Sequence, residues 1–355
     1  MRRSTVIAVL AVLAAVAAQA AYASSIVSTS DVKVISFGVN DKGQAMVTYT
    51  QGGQKHHTLA YGAENAVAPK KGHKQVNFTY DYSGGYTLFK DQIVAAVDQL
   101  RADQHAFRAA QADAARQGKR YTPDVLEWSA AIRKDNAVIQ RLHRQANDFP
   151  KSFACKPYTG PKLAFAVAAC DAPDGSYWAL QQWQRQLPDY GVEPNAQQAS
   201  AELHLSHWTG ALPVLKVSTD WSYHRWQHLF GTYTYDGKAV FGFGSTSTGQ
   251  PLDSFGRNVY LDSMNSNYLD GRGTWMRVNS WLTHRSTGAW CYGVSPHGSA
   301  DRTGAGSRYR LTIMGPGVTP DVSVTVGSPG RYNATADAAQ NTKIAALHDT
   351  LCKPN

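Results

Sequence analysis

The chain is short of the patterns that most often announce chemistry. It has four cysteines in 355 residues, Cys155, Cys170, Cys291 and Cys352, and none stands in a C-x-x-C. A thiol-redox couple or a cysteine-bound zinc is therefore not expected. H-E-x-x-H is missing, and with it the helical zinc-hydrolase arrangement in which two histidines share one face. G-x-S-x-G is missing too. Gly242-Phe-Gly-Ser-Thr-Ser-Thr-Gly249 is a loose version only, and such Gly/Ser/Thr runs are ordinary at strand ends. Charged residues make up just 17%, and the net charge of +9 is dispersed. Adjacent basic pairs, Lys70-Lys71 and Lys119-Arg120 among them, are few. A nucleic-acid reader concentrates its charge on one face, so no nucleic-acid partner is expected. Beyond Ala23 no apolar run approaches the roughly 18 residues of a membrane span. No cofactor is expected either.

What is present begins with a leader. Arg2 and Arg3 precede an apolar run from Val6 to Ala18, and Ala21-Tyr22-Ala23 is a small-x-small cleavage site. These three parts make residues 1–23 a signal peptide by expectation and the mature protein secreted, starting near Ser24. Losing Arg2 and Arg3 would lower the formal charge from +9 to +7. In an exported chain an even cysteine count points to disulfides. Four cysteines allow three pairings. Proximity favours Cys155 with Cys170, closing a loop that holds Pro157 to Pro161, and Cys291 with Cys352, pinning the tail.

Periodicity divides the rest. In residues 31–61, "VKVISFGV" and "QAMVTYT" alternate on either side of Asn40-Asp-Lys-Gly43, a hairpin signal. "QVNFTYDYSGGY" (75–86) reads as another strand, ending at Gly84-Gly85. The period then changes to three and four. Ile93, Val97, Leu100, Gln104, Phe107, Gln111 and Ala114 form one seam. Val125, Trp128, Ile132, Asp135, Ile139, Leu142, Ala146 and Phe149 form a second. Gly118 suits the end of the first helix; Thr122 and Pro123 suit the cap and first turn of the next. Two antiparallel helices of roughly 25 residues, about 40 Å long, are predicted. The hairpin closes on itself and on the body in the preferred reading. In the other, it is a coiled-coil arm for self-association. The polar seam positions weigh against the second.

From residue 176 the chain is rich in short strands and aromatics, with eight of the nine tryptophans between Trp178 and Trp290. Strands are expected at 202–208, 212–220, 226–235, 238–245, 258–264, 275–283, 288–294, 307–314 and 320–326, broken by Asp236-Gly237, Gly249-Gln-Pro251 and Gly315-Pro-Gly317. This spacing predicts a sandwich or barrel. Ile344, Leu347 and Leu351 have helical spacing in the tail.

The candidate chemistry centres on Glu202-Leu-His-Leu-Ser-His-Trp-Thr-Gly210. On a strand, His204 and His207 point to opposite faces; on a helix they would share one. Leu203 and Leu205 around His204, with Thr209-Gly210 ending the run, favour the strand. A metal-assisted hydrolase would need about three ligands and a base. Its candidates are His204, His207, Asp220, His224 and His228, with Glu202 or Asp220 as base. Asp171, Asp174, Asp189 and Glu193 surround "GSYWALQQWQ", but acids at turns are ordinarily solvated. Trp178, Trp183, Trp208, Trp221 and Trp226 are candidates for a stacking platform for sugar or peptide. Against this, sandwich tryptophans mostly fill cores.

Two resemblances add to this. "GTYTYDGKAVFGFGSTSTGQPLDSFGRNVYLDS" (231–263) and "YRLTIMGPGVTPDVSVTV" (309–326) resemble the carboxypeptidase regulatory-like, transthyretin-type sandwich, interrupted by 264–308. The resemblance covers about 50 of 355 residues and implies a fold without an activity. "LAYGAENA", "QVNFTYDYSGG", "CDAPDGSYWALQQWQRQLPDYG", "ELHLSHWTG" and "THRSTGAWCYG" resemble a group of secreted proteins of high-GC Gram-positive bacteria. That resemblance implies a bacterial, exported protein and carries no chemistry; relative to its pattern, 87–149 looks inserted.

The expectation is a mainly β protein in five parts: signal peptide 1–23, N-terminal β segment 24–86, inserted two-helix antiparallel hairpin 87–149, disulfide-containing aromatic-rich sandwich region 150–330, and helix and tail 331–355. The expected role is non-catalytic extracellular binding or structure, with a carbohydrate or cell-wall ligand. The alternatives are the metal-assisted hydrolase and a surface protein self-associating through the hairpin.

Overall fold

The computed structural model describes residues 25–67, 75–185, 196–223, 226–240, 259–264, 275–281, 289–294 and 306–346. The expected signal peptide at 1–23, Gly242–Gly249, Asp189, Glu193, His224, Cys352 and the stretch 241–258 of the sandwich-like motif lie outside these. The protein is mainly β, in antiparallel sheets, with two long helices paired as a hairpin.

The N-terminal strands are β1 (Ser25–Ser28), β2 (Lys33–Val39), β3 (Ala45–Gln51), β4 (Gln54–Tyr61) and β5 (Thr79–Asp81). The expected turn joins β2 to β3: Asn40 Oδ1 accepts from the amides of Lys42 and Gln44, both at 3.0 Å, and Gly43 takes φ +66°. The 75–86 stretch gives only three strand residues, because Gly84 and Gly85 leave the sheet in the left-handed region at φ +66° and +91°. Asp81 then accepts from the Ser83 amide and hydroxyl and from the Thr87 hydroxyl, setting the start of the hairpin.

The hairpin is α1 (Thr87–Arg116) and α2 (Pro123–Asp148). α1 ends in a Schellman arrangement, with Lys119 N–H on Ala114 O and Gly118 N–H on Ala115 O. The Thr122 side chain caps α2 by accepting from Val125 N. The α2 seam follows the predicted spacing: Val125, Leu142 and Ala146 are buried and Asp135 is half-buried. The α1 seam keeps Ile93 and Ala114 buried and Val97, Leu100, Gln104 and Phe107 half-buried, as predicted, while Gln111 is exposed. Asp103, beside Gln104, is buried as well, and Gln99 Nε2 donates to Asp103 Oδ1 at 2.7 Å there. Among the described residues the helices pack chiefly on each other. They join the body at one end, where Phe149 meets Phe89 at 5.9 Å and Phe153 at 5.3 Å.

After a single 3-10 turn the chain re-enters the body as β6 (Lys156–Pro157), β7 (Ala166–Asp171), β8 (Tyr177–Gln184), the short α3 (Ala196–Ala199) and β9 (Ala201–Trp208). One sheet runs β1-β9-β8-β7-β6, the other β2-β3-β4-β5. They share a core of Val47, Tyr49, Ala60, Trp178, Leu180, Leu203 and Leu205. Cys155 and Cys170 are bonded, as expected, with Cα atoms 5.0 Å apart.

The remaining strands build a second pair of sheets. One holds β10 (Val214–Ser222), β11 (Trp226–Tyr235), β12 (Lys238–Ala239) and β15 (Ala289–Val294). The other runs β14 (Trp275–Trp281), β13 (Val259–Met264), β16 (Arg308–Ile313), β17 (Val322–Gly327). Leu215, Leu229, Tyr233, Val259, Leu261, Tyr309, Leu311 and Ile313 fill the space between them. α4 (Ala334–Ala346) covers β10, and its Ile344 packs on Cys291. Cys291 is itself disulfide-bonded. Residues 150–330 are thus shared between two sandwiches. The strands up to Trp208 pair their apolar faces with the N-terminal strands, from which the inserted hairpin separates them in sequence.

Candidate functional site

Strand β9 is buried on both faces from Glu202 to Trp208. Alternation sends Leu203, Leu205 and His207 into the first sandwich, and Glu202 and His204 to the outside of that sheet. Neighbouring β8 sends Gln181 and Trp183 the same way as Glu202 and His204, with Arg185 just beyond its end. The second sandwich covers this polar corner with Tyr260, Met314 and Asp321.

The result is a shielded charged cluster. Arg185 Nη1 lies 2.7 Å from Glu202 Oε2, and His204 Nδ1 lies 2.6 Å from Asp321 Oδ2. His204 Nε2 is 3.5 Å from Glu202 Oε2 and 3.3 Å from Arg185 Nη1. Asp321 also accepts from Trp183 Nε1 at 2.9 Å and Gly315 N at 2.8 Å. Its backbone exchanges two 2.8 Å hydrogen bonds with the Gln181 amide. The turn that delivers Asp321 requires glycine: a Cβ on Gly315 would stand 2.1 Å from Thr319 O. A second layer holds the far side. Arg277 reaches Asp262 at 2.5 Å and the carbonyls of Arg185 and Gln184, while Arg310 meets Asp262 at 2.9 Å.

Burial works against a charge on His204, but Asp321 and Glu202 outweigh it and Arg185, so its pKa is raised. Burial likewise opposes the Arg185 charge, and Tyr260, Glu202 and Asp321 more than offset it. The side chains of Arg185, Glu202, His204 and Asp321 are at most 1% exposed. The cluster therefore holds elements together and presents no face to a substrate.

His207 sits in a different environment, as the strand reading requires. Its ring stacks on Trp178 at 3.9 Å, with Nδ1 2.5 Å from Ala63 O and Nε2 2.8 Å from Ser176 Oγ. Asp174 Oδ1 lies 2.6 Å from the same hydroxyl. The three residue types of a hydrolase triad are here in the wrong order: the carboxylate binds the serine, and a backbone carbonyl holds Nδ1. Ser176 is 1% exposed. Burial lowers the His207 pKa despite Ala63, Glu64 and Asp174. Asp174 works at a turn, accepting also from Ser176 N, and Asp171 accepts from Thr159.

The described candidates for metal ligands are dispersed. His204 and His207 face apart on β9, whereas Asp220 and His228 are cross-strand partners on β10 and β11 of the other sandwich. His228 is buried between Tyr223 and Phe230. Among the described residues no group of three or more His, Cys, Asp or Glu could hold a metal ion. Glu202, suggested as a base, does stand beside His204, but as a partner of Arg185.

Four of the five tryptophans of the expected platform lie inside the protein. Trp178, Trp183, Trp208 and Trp221 are 0%, 5%, 0% and 9% exposed. They fill cores because strands so rich in aromatics bury more apolar area inside than a surface patch could use. Trp226 lies on β11, and its side chain is outside the described residues. Arg185, Asp321, Gln181 and Tyr260 escaped the sequence reading. The one signal was that Glu202 and His204 stand in a strand otherwise apolar enough for full burial. Searches against protein-family models, curated proteins and solved structures find no match to this chain.

Proposed function

We propose that the chain is an exported, non-catalytic binding or structural protein whose working surface is the helical hairpin, held out by the two-sandwich body. The leader and the Cys155–Cys170 disulfide support export. The observation that carries the role is the placement of the hairpin. Among the described residues α1 and α2 pack chiefly on each other, with Phe89, Phe149 and Phe153 in contact at their base, and they expose Leu88, Val94 and Leu126. A pair of helices that packs chiefly on itself, with a diluted seam, does little for the core. The Arg185–Glu202–His204–Asp321 cluster is enclosed, which supports a role without catalysis.

The test is excision. Residues 87–148 can be replaced by a short Gly/Ser link, because Gly85 already lies against Phe149. The shortened protein is expected to keep the β-sheet circular dichroism of the parent and its disulfide. It should lose retention on purified bacterial cell-wall material. Undiminished retention by the body alone would overturn the assignment of the hairpin as the working surface. The exposed leucines and valine also favour a second reading, self-association. Sedimentation velocity would show it as a larger species in the parent that disappears on excision.

A further inference from the structure

The sandwiches meet in a joint of two parts. One is the Arg185–Glu202–His204–Asp321 cluster. The other gathers around His207, on the opposite face of β9. There three segments exchange backbone hydrogen bonds in a closed ring. Asn65 N donates to His207 O at 2.9 Å, His207 N to Val318 O at 2.8 Å and Val318 N to Asn65 O at 3.3 Å. Asn65 lies in the loop after β4, and Val318 in the turn that also delivers Asp321. Beneath this ring the His207 side chain makes a series of contacts of its own. Nδ1 lies 2.5 Å from Ala63 O, Nε2 lies 2.8 Å from Ser176 Oγ, and that hydroxyl lies 2.6 Å from Asp174 Oδ1. The residue is 6% exposed, and its imidazole stacks on Trp178 of β8. The 315–319 turn brings no charged residue to it. The charged groups that act on the imidazole are Glu64 and Asp174, and neither is its direct hydrogen-bond partner.

A carbonyl and a carboxylate only accept, and a serine hydroxyl has one proton to give. Ala63 O therefore fixes a proton on Nδ1. With a neutral imidazole Nε2 is then bare, and the Ser176 hydroxyl can serve His207 or Asp174 but not both. Three contacts need three protons, and an imidazolium supplies the third. Asp174 does not, because it is exposed and the Ser176 hydroxyl and amide hold its carboxyl below the usual carboxylate range. A further donor to Asp174 would not fill the gap between Oγ and Oδ1. We infer that His207, Ser176 and Asp174 form a proton-operated clasp beneath the joint: on acidification His207 takes up a proton and the three contacts close together, and with a neutral imidazole Ser176 releases one neighbour. Burial sets where this happens, since it pushes the His207 pKa below its ordinary value of 6.5. A histidine lowered in this way contributes stability fully above 6.5, and the contribution is lost as pH falls through the folded value. The closed clasp recovers part of that loss by linking the buried cation to Asp174.

Nitrogen-15 NMR of the histidine side chains in the full-length protein, followed from about pH 7.5 down to about pH 4.5, is the test. At the upper end His207 should carry its proton on Nδ1 and leave Nε2 bare. Below 6.5 Nε2 is expected to gain a proton. An imidazole that stays neutral throughout, or whose neutral form is protonated on Nε2, would overturn the inference. Two substitutions then separate a clasp from attraction through space. Asp174→Asn should lower the His207 midpoint by about one pH unit in the parent. In a Ser176→Ala background the same change should have much less effect, because the hydroxyl that links the two is gone. Equal effects in both backgrounds would mean that Ser176 links nothing, and the clasp would fall. Should Ser176→Ala not fold, the titration of the parent decides alone, since it needs no substitution.

Discussion

Gly84 and Gly85 show how much of this fold rests on single backbone positions. Gly84 has φ +66°, and a Cβ there would stand 2.5 Å from the His57 Cβ; Gly85 has φ +91° and lies against the Phe149 ring. Gly84→Ala therefore meets both strain and collision. A loss of about 1–3 kcal/mol is expected from the strained backbone alone, measured as a lowered urea midpoint. The glycine pair was visible in the sequence as a stop, but not as the place where the hairpin seats on the body. His57 and Phe149 lie far away in the chain on both sides. The opposite facing of His204 and His207 was also legible, since it follows from strand geometry alone. That one meets a carboxylate and the other a carbonyl was not, because Asp321 and Ala63 come from distant loops.

At the scale of elements, patterning carried most of the information. Thr122, Pro123 and Gly118 marked the helix ends by their cap chemistry, and strands such as β9, β11 and β16 fall close to their predicted limits. The failures have physical causes. β1 and β7 are short and small in side chain, so their alternation is faint; they are strands because β9 and β8 offer them partners. The seam of α1 holds except at Gln111, and Asp103 joins it unannounced because an aspartate looks polar in sequence. The Cys155–Cys170 bond closes a loop across 15 positions and fastens the returning chain to β7. Replacing both cysteines by serine is expected to lower stability by about 3 kcal/mol, the loop-closure value for about 15 residues, read from denaturant curves of the oxidised parent and the variant.

For the whole molecule, the division into two sandwiches was hidden because the sequence places the arm between strands that share a core. The joint was hidden for the same reason that makes it interesting: its members are scattered over β8, β9, β13, β14 and the turn before β17. Arg277 illustrates the dependence. It is 2% exposed in its side chain, pairs with Asp262 and donates to the Arg185 and Gln184 carbonyls across the joint. Arg277→Met would leave Asp262 enclosed with Arg310 as its remaining described cation. A loss of about 3–5 kcal/mol is expected, with the equilibrium unfolding curve as the measure. A well-behaved variant with an unchanged midpoint would mean that the second layer contributes nothing net.

The anchorage of the hairpin has a mechanical corollary. A 30-residue helix fixed at one end is a lever about 45 Å long. A tilt of about 5° at its phenylalanine fulcrum carries Gly118 through about 4 Å at this length. Small adjustments of Phe149 against Phe89 and Phe153 are thereby magnified at the tip, so that whatever sets those three rings also sets the reach of the protein.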